Sequence, residues 1–175
     1  PRNPTVGRQR RTIARKAPGI QVEWGLRLAV ENMSAPRAAS NREDPPVRLA
    51  LAQLNAVVGD LDGNRAKILD ALADARREGA DLVVFPELAV TGYPPEDLLL
   101  RPGFLKAARA SLEQIAASTD GITALVGCPL FDRDLANACA VLSGGETRGV
   151  YRKHFLPNYG VFDEHRYFAE GRELL

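Results

Sequence analysis

Two charged side chains stand where reacting groups are commonly found. Glu87 directly follows the apolar run Asp81-Leu82-Val83-Val84-Phe85, which reads as a strand buried on both faces. It therefore sits at the carboxyl end of a strand, where α/β proteins gather their functional groups. A carboxylate there is placed to act as a general base, although the position alone better suits a solvated loop glutamate. Lys153 lies in Tyr151-Arg152-Lys153-His154, just past another expected strand. A fixed ammonium at that place could stabilise the oxyanion of an acyl-transfer intermediate, a contribution whose loss typically costs about 3 kcal/mol. The plainer reading is a surface basic cluster. The only thiols, Cys128 in Val126-Gly127-Cys128-Pro129 and Cys139 in Ala138-Cys139-Ala140, read as small buried hydrophobes inside strands. His154 and His165 could pair with a cysteine in a dyad, but nothing else matches that arrangement.

The elements expected to hold these groups begin at Val47. After Pro45-Pro46 the alternation Val47-Arg48-Leu49-Ala50-Leu51-Ala52-Gln53-Leu54 reads as a strand. Asp62 to Glu78 follows as an amphipathic helix, with Ile68, Leu69, Leu72 and Ala75 on one face, Asp62 or Asn64 as its cap and Gly79 at its end. With the strand at 81–85 this makes one right-handed strand-helix-strand unit. Pro86, Gly92, Pro94, Pro95, Pro102 and Gly103 crowd a loop before a second helix, Phe104 to Ala117. Strands are expected at Ile122 to Phe131, Leu135 to Leu142 and Thr147 to Tyr151, the last two joined by the turn Ser143-Gly144-Gly145-Glu146. That turn is a hairpin and not a phosphate-binding loop. The expectation is an α/β domain with a mixed sheet, antiparallel in its second half, and helices on one face. The other face then needs a partner.

Bulk properties limit the alternatives. The chain of 175 residues suits one ordinary domain. A composition of 45% hydrophobic and 26% charged residues is that of a globular protein, and no run approaches the roughly 20 apolar residues that span a bilayer. Residues 1–46 carry nine Arg/Lys against four Asp/Glu, and the remainder fourteen against eighteen. This basic tail is expected to be disordered. It lacks the aromatic interleaving or amphipathic face of a nucleic-acid or membrane binder, so neither partner is expected. Residues 1–32 read as upstream translated or added sequence, with Met33 a candidate start. Two cysteines and two histidines recommend neither a disulfide framework nor a metal site, and the cysteine content is that of a reduced, cytoplasmic compartment.

The segments Val83-Val84-Phe85-Pro86-Glu87-Leu88 and Tyr151-Arg152-Lys153-His154-Phe155-Leu156-Pro157 together resemble the Glu and Lys signatures of the nitrilase (carbon-nitrogen hydrolase) superfamily. Within it, Ala89-Val90-Thr91-Gly92-Tyr93-Pro94-Pro95-Glu96-Asp97-Leu98-Leu99 and Asn158-Tyr159-Gly160-Val161-Phe162-Asp163-Glu164-His165-Arg166-Tyr167-Phe168 resemble the glutaminase domain of glutamine-dependent NAD synthetases. The likeness runs from about Val47 to Leu175. It implies an α-β-β-α sandwich, incomplete here, in which a second sheet covers the free face. It also implies roles: Glu87 as general base, Lys153 as oxyanion cation, Glu164 as an auxiliary glutamate orienting the lysine and the substrate amide, and Tyr93 and Tyr159 as walls of a glutamine pocket.

A carboxylate with an ordinary pKa near 4.3 must take the proton of a thiol near 8.5, so the triad is expected in a deep, water-poor pocket where burial and the lysine narrow that gap. The resemblance places the nucleophilic cysteine well downstream of Lys153, in a setting such as Gly-x-x-x-Cys-Glu/Asp, past Leu175. The chain is accordingly expected to lack its nucleophile and to be inactive alone. In the complete enzyme the likeness implies ammonia passing to a carboxy-terminal synthetase domain, absent here, that uses ATP and Mg2+, within a homo-oligomer; it implies no cofactor for this stretch itself. Two rivals share parts of these features: a stand-alone amidase of the superfamily acting on a small amide, and a non-catalytic module that binds a partner through its sheet.

Overall fold

The computed structural model describes residues 20–23 and 47–173. Its six strands form one mixed sheet in sequential order: β1 (Ile20–Glu23), β2 (Leu49–Leu54), β3 (Leu82–Val84), β4 (Thr123–Phe131), β5 (Leu135–Ser143) and β6 (Glu146–Arg152). β2, β3 and β4 are parallel, while β4, β5 and β6 are antiparallel. The expected change of character half-way along the sheet is therefore present. The expectation of disorder over residues 1–46 fails at Ile20–Glu23: β1 pairs antiparallel with β2, with Ile20 opposite Leu54, because the edge of β2 offers unpaired backbone groups to an added strand. The rest of residues 1–46 lies outside the described residues.

α1 (Leu61–Arg77) connects β2 to β3, and α2 (Pro102–Ala116) leads into β4. Both helices lie on one face. Ile68, Leu72 and Ala75 of α1 and Leu112 and Ile115 of α2 pack with Ala50, Val83, Ala124, Val126, Ala140 and Leu142 of the strands in one core cluster. The short side chains on the strands let the helices approach, as period-2 and period-3.6 burial require. α1 is capped by Asp60, whose Oδ1 accepts from Gly63 N at 2.9 Å, and not by Asp62 or Asn64. Asn64 is instead buried, with other partners. Gly79 leaves the helix with φ +75, and Pro102 occupies the start of α2, where its missing N–H costs nothing. Gly144 and Gly145 both take positive φ at the tip of the β5-β6 hairpin, as the tight turn demands.

The opposite face carries the cross-strand row Leu51, Val84, Leu125 and Val141, and Leu51 is 45% exposed. No second sheet occurs among the described residues. The carboxyl ends of β3 and β6 lie on either side of the β4-β5 hairpin, so the loops that follow them can meet around it.

Candidate active site

The loop after β3 is held against β4 and by a bond of its own. Phe85 N donates to Leu125 O at 2.9 Å, Val90 N to Gly127 O at 3.3 Å, and Gly92 N to Leu88 O at 2.8 Å. Gly127 is required here: a Cβ on it would lie 2.8 Å from Glu87 Cα and closer still to Pro86 and Leu88 backbone atoms. Leu88 takes φ +48, a conformation costly for a branched side chain, yet is fully buried with Leu99, Leu156 and Phe168 in a second cluster. Asn64 ties the loop to α1. It accepts from Val57 N at 2.8 Å and donates to Val57 O at 2.7 Å and Val90 O at 3.3 Å. The turn thus presents Glu87 on a backbone that packing and hydrogen bonds have already fixed.

Lys153 leaves the end of β6 with its N–H donated to Asn137 O at 2.8 Å and its carbonyl accepting from Gly171 N at 2.9 Å. Glu164 opens a 3-10 turn (Glu164–Arg166), and its carbonyl accepts from Tyr167 N and Phe168 N. These elements bring four of the five singled-out side chains together. Lys153 Nζ donates to Glu87 Oε1 at 2.7 Å and to Glu164 Oε1 at 3.0 Å, and it also lies 2.9 Å from Glu164 Oε2. Tyr93 OH donates to Glu164 Oε1 at 3.1 Å. Tyr159 stands apart, 71% exposed and edge-on to Phe162.

The electrostatics follow from this packing. Burial works against the Lys153 ammonium, but hydrogen bonds and charges from Glu87 and Glu164 outweigh it and hold its pKa above the ordinary lysine value. The Tyr93 phenol is pushed up to about 12, first by desolvation, then by its bond to Glu164 and the nearby carboxylates. Only Glu164 is deeply buried, at 6% side-chain exposure; Lys153 is 31% and Glu87 45% exposed. The cluster therefore has a closed floor and an open top, where the sequence suggested a deep pocket throughout. A cavity of about 440 Å³ adjoins it, with Tyr93, Leu99, Phe162, Glu164, Tyr167 and Phe168 among its walls.

Neither thiol belongs to this cluster. Cys128 is buried on the helix side of β4, and burial pushes its pKa up to about 12; burial also raises that of Cys139. Among the described residues neither thiol hydrogen-bonds to Glu87 or Lys153, so neither is placed to hand its proton to the base. One group escaped the sequence reading. Asn137, 3% exposed, donates through Nδ2 to Glu87 Oε1 at 2.6 Å. The available signal was a lone amide inside the strand Leu-Ala-Asn-Ala-Cys-Ala-Val-Leu, which a buried position obliges to find a partner.

Residues 48–175 match the family model described as carbon-nitrogen hydrolase. The chain belongs to the carbon-nitrogen hydrolase family. It is 53% identical over 131 residues to the glutamine-dependent NAD(+) synthetase of Thermotoga maritima, and 50% identical over 131 residues to that of Aquifex aeolicus. Each match takes in 74% of this chain and 23% of the relative, so the chain spans about a quarter of the length of these proteins. Among solved structures it is similar to the glutamine-dependent NAD+ synthetase of Acinetobacter baumannii, with a TM-score of 0.69 and 40% identity over 73% of this chain and 24% of that one. An amidase from Nesterenkonia sp. matches with a TM-score of 0.62 and 29% identity, covering 73% of this chain and 49% of the other. Among the described residues, no helix of this carbon-nitrogen hydrolase is long and apolar enough to cross a membrane.

Proposed function

We propose that this chain supplies the general base and the oxyanion cation of a glutaminase that feeds ammonia to NAD synthesis. The observation that supports it best is the convergence of Glu87 and Glu164 on the single ammonium of Lys153. Two of the three ammonium protons are taken by carboxylates, which leaves one for an oxygen that becomes negative during reaction. In this reading a cysteine thiol from sequence beyond this stretch attacks the side-chain amide carbon of glutamine. Glu87 takes the thiol proton and delivers it to the departing nitrogen, which leaves as ammonia. Water then splits the γ-glutamyl thioester to glutamate. Glu164 orients Lys153 and the substrate amide, and Tyr93 flanks the pocket; Tyr159 contributes a wall only when the exposed 158–162 stretch is covered.

On this proposal the ammonia is consumed by a separate synthetase domain, where ATP and Mg2+ drive the amidation of nicotinic acid adenine dinucleotide to NAD. On the same proposal the complete protein is a cytoplasmic homo-oligomer, and this chain alone does not turn over glutamine because neither of its thiols is paired with Glu87. A stand-alone amidase is the alternative, favoured only by the weaker 29% likeness to the Nesterenkonia protein. In the complete enzyme, Glu87→Gln or Lys153→Ala should abolish glutamine-driven NAD formation and leave the ammonium-driven reaction at the wild-type rate. Loss of both reactions would reveal a structural role and sink the assignment.

A further inference from the structure

The two oxygens of Glu87 have different surroundings. Oε1 accepts from Lys153 Nζ at 2.7 Å and from Asn137 Nδ2 at 2.6 Å, which occupies both of its lone pairs. Among the described residues no group donates to Oε2. Asn137 reaches both charged partners through different atoms, since its backbone carbonyl also accepts the Lys153 N–H at 2.8 Å. It is the third residue of β5, between Ala136 and Ala138, where the strand is otherwise apolar or small. An amide buried in such a strand is costly unless paired. Its bond to an ionised acceptor belongs to the stronger class of hydrogen bonds.

We propose that Asn137 is a positioning residue that assigns separate tasks to the two oxygens of Glu87: Oε1 is the anchored atom, and Oε2 is the atom that takes and returns the proton. The inference rests on the glutaminase reading above. The terminal torsion of a glutamate is broad and roughly two-fold, so an unanchored carboxylate would present either oxygen to the thiol in varying orientations. With Asn137 and Lys153 both donating to Oε1, that rotation is stopped. The arrangement also suits both halves of the proton transfer. When the thiol proton moves to Oε2, Oε1 becomes the carbonyl oxygen of a neutral acid and keeps both of its donors. The acid proton on Oε2 then passes to the departing amide nitrogen, which leaves as ammonia and restores the carboxylate.

The test uses the complete enzyme that carries this chain. Asn137→Leu fills similar volume without a donor, and Asn137→Ser, too short to reach Glu87, is a second variant should leucine disturb the strand. Either should lower kcat for glutamine hydrolysis about 100-fold, the order expected of a misaligned reacting group. KM for glutamine and the ammonium-driven rate should stay near wild type. Asn137→Asp, which sets an acceptor against Glu87, should fall further than either. Wild-type kcat in the leucine and serine variants overturns the proposal, as does a parallel fall of both rates with the melting temperature. A wild-type enzyme unable to hydrolyse glutamine would overturn the glutaminase reading itself, an outcome that the variants alone cannot produce.

Discussion

The larger hydrophobic cluster draws on β2, β3, β4 and β5 and on both helices, whereas the smaller consists of Leu88, Leu99, Leu156 and Phe168 from loops and a 3-10 turn. Most members of the first repeat with the periods of its strands and helices, so their neighbours in sequence announce them. The second joins residues 80 positions apart that share no period. Yet it is the smaller cluster that adjoins the charged groups: Leu88 follows Glu87, Leu156 lies three residues from Lys153, and Phe168 packs beside the turn begun by Glu164. Most of the buried apolar residues lie in one region, while the residues that border the reacting groups lie in the other.

Truncations in the two clusters give the largest expected effects. Leu72→Ala in α1 should cost about 2–5 kcal/mol and Phe168→Ala about 3–5 kcal/mol, both read from urea unfolding. Their consequences should diverge in the complete enzyme. Leu72→Ala should leave the ratio of glutamine-driven to ammonium-driven turnover unchanged, while Phe168→Ala should lower it. An equal fall of that ratio in both variants would erase the distinction between the regions.

A smaller effect is expected at the junction between them. Asn64 belongs to α1 but bonds Val57 and Val90, and Gly59 N donates to Thr91 O at 2.9 Å alongside. Asn64→Ala should cost about 2 kcal/mol through the backbone groups left unpaired. Hydrogen exchange should quicken at the Val57 amide while α2 keeps its protection. Unchanged exchange at Val57 would mean that the loop is held without the asparagine.

The smallest effect concerns Tyr93. Replacing its hydroxyl by Tyr93→Phe should cost at most about 1 kcal/mol, the net worth of an ordinary hydrogen bond. Because folding raises the phenol from 10.0 to about 12, its contribution is complete below about pH 10 and is lost as pH rises through about 12. The spectroscopic signature is a late tyrosinate absorbance step near pH 12 that the phenylalanine variant lacks. A wild-type titration complete by pH 11 would show that Tyr93 is not shielded beside Glu164.

Much of the frame was legible before folding. The alternation at Leu49–Leu54, the helical faces at Ile68-Leu72-Ala75 and Ala108-Leu112-Ile115, and the Gly144-Gly145 turn each follow from local preferences that the tertiary fold does not contradict. The element ends shifted by one or two residues, and the cap of α1 moved to Asp60 because Asn64 is claimed by Val57 and Val90. Glu87 and Lys153 could be singled out by their place after strands, and Glu164, Tyr93 and Tyr159 only through likeness to a family. Asn137 was missed because a side chain inside an apolar strand reveals its partner only when a distant loop is brought against it.

By itself, then, the sequence determined the elements from Leu49 onward and their order, since propensity and periodicity are properties of neighbouring residues, but not β1, whose pairing with β2 joins segments about thirty residues apart. Tertiary structure alone decided that Glu87, Asn137, Lys153 and Glu164 share one site. These groups are up to 77 residues apart in the chain, and their hydrogen bonds exist only because Gly127 lets the Glu87 turn lie on β4 while β5 carries Asn137 and aligns Lys153 beside it. Ion pairing and hydrogen bonding decay within a few ångströms, so the chemistry depends on distances that local preferences do not specify.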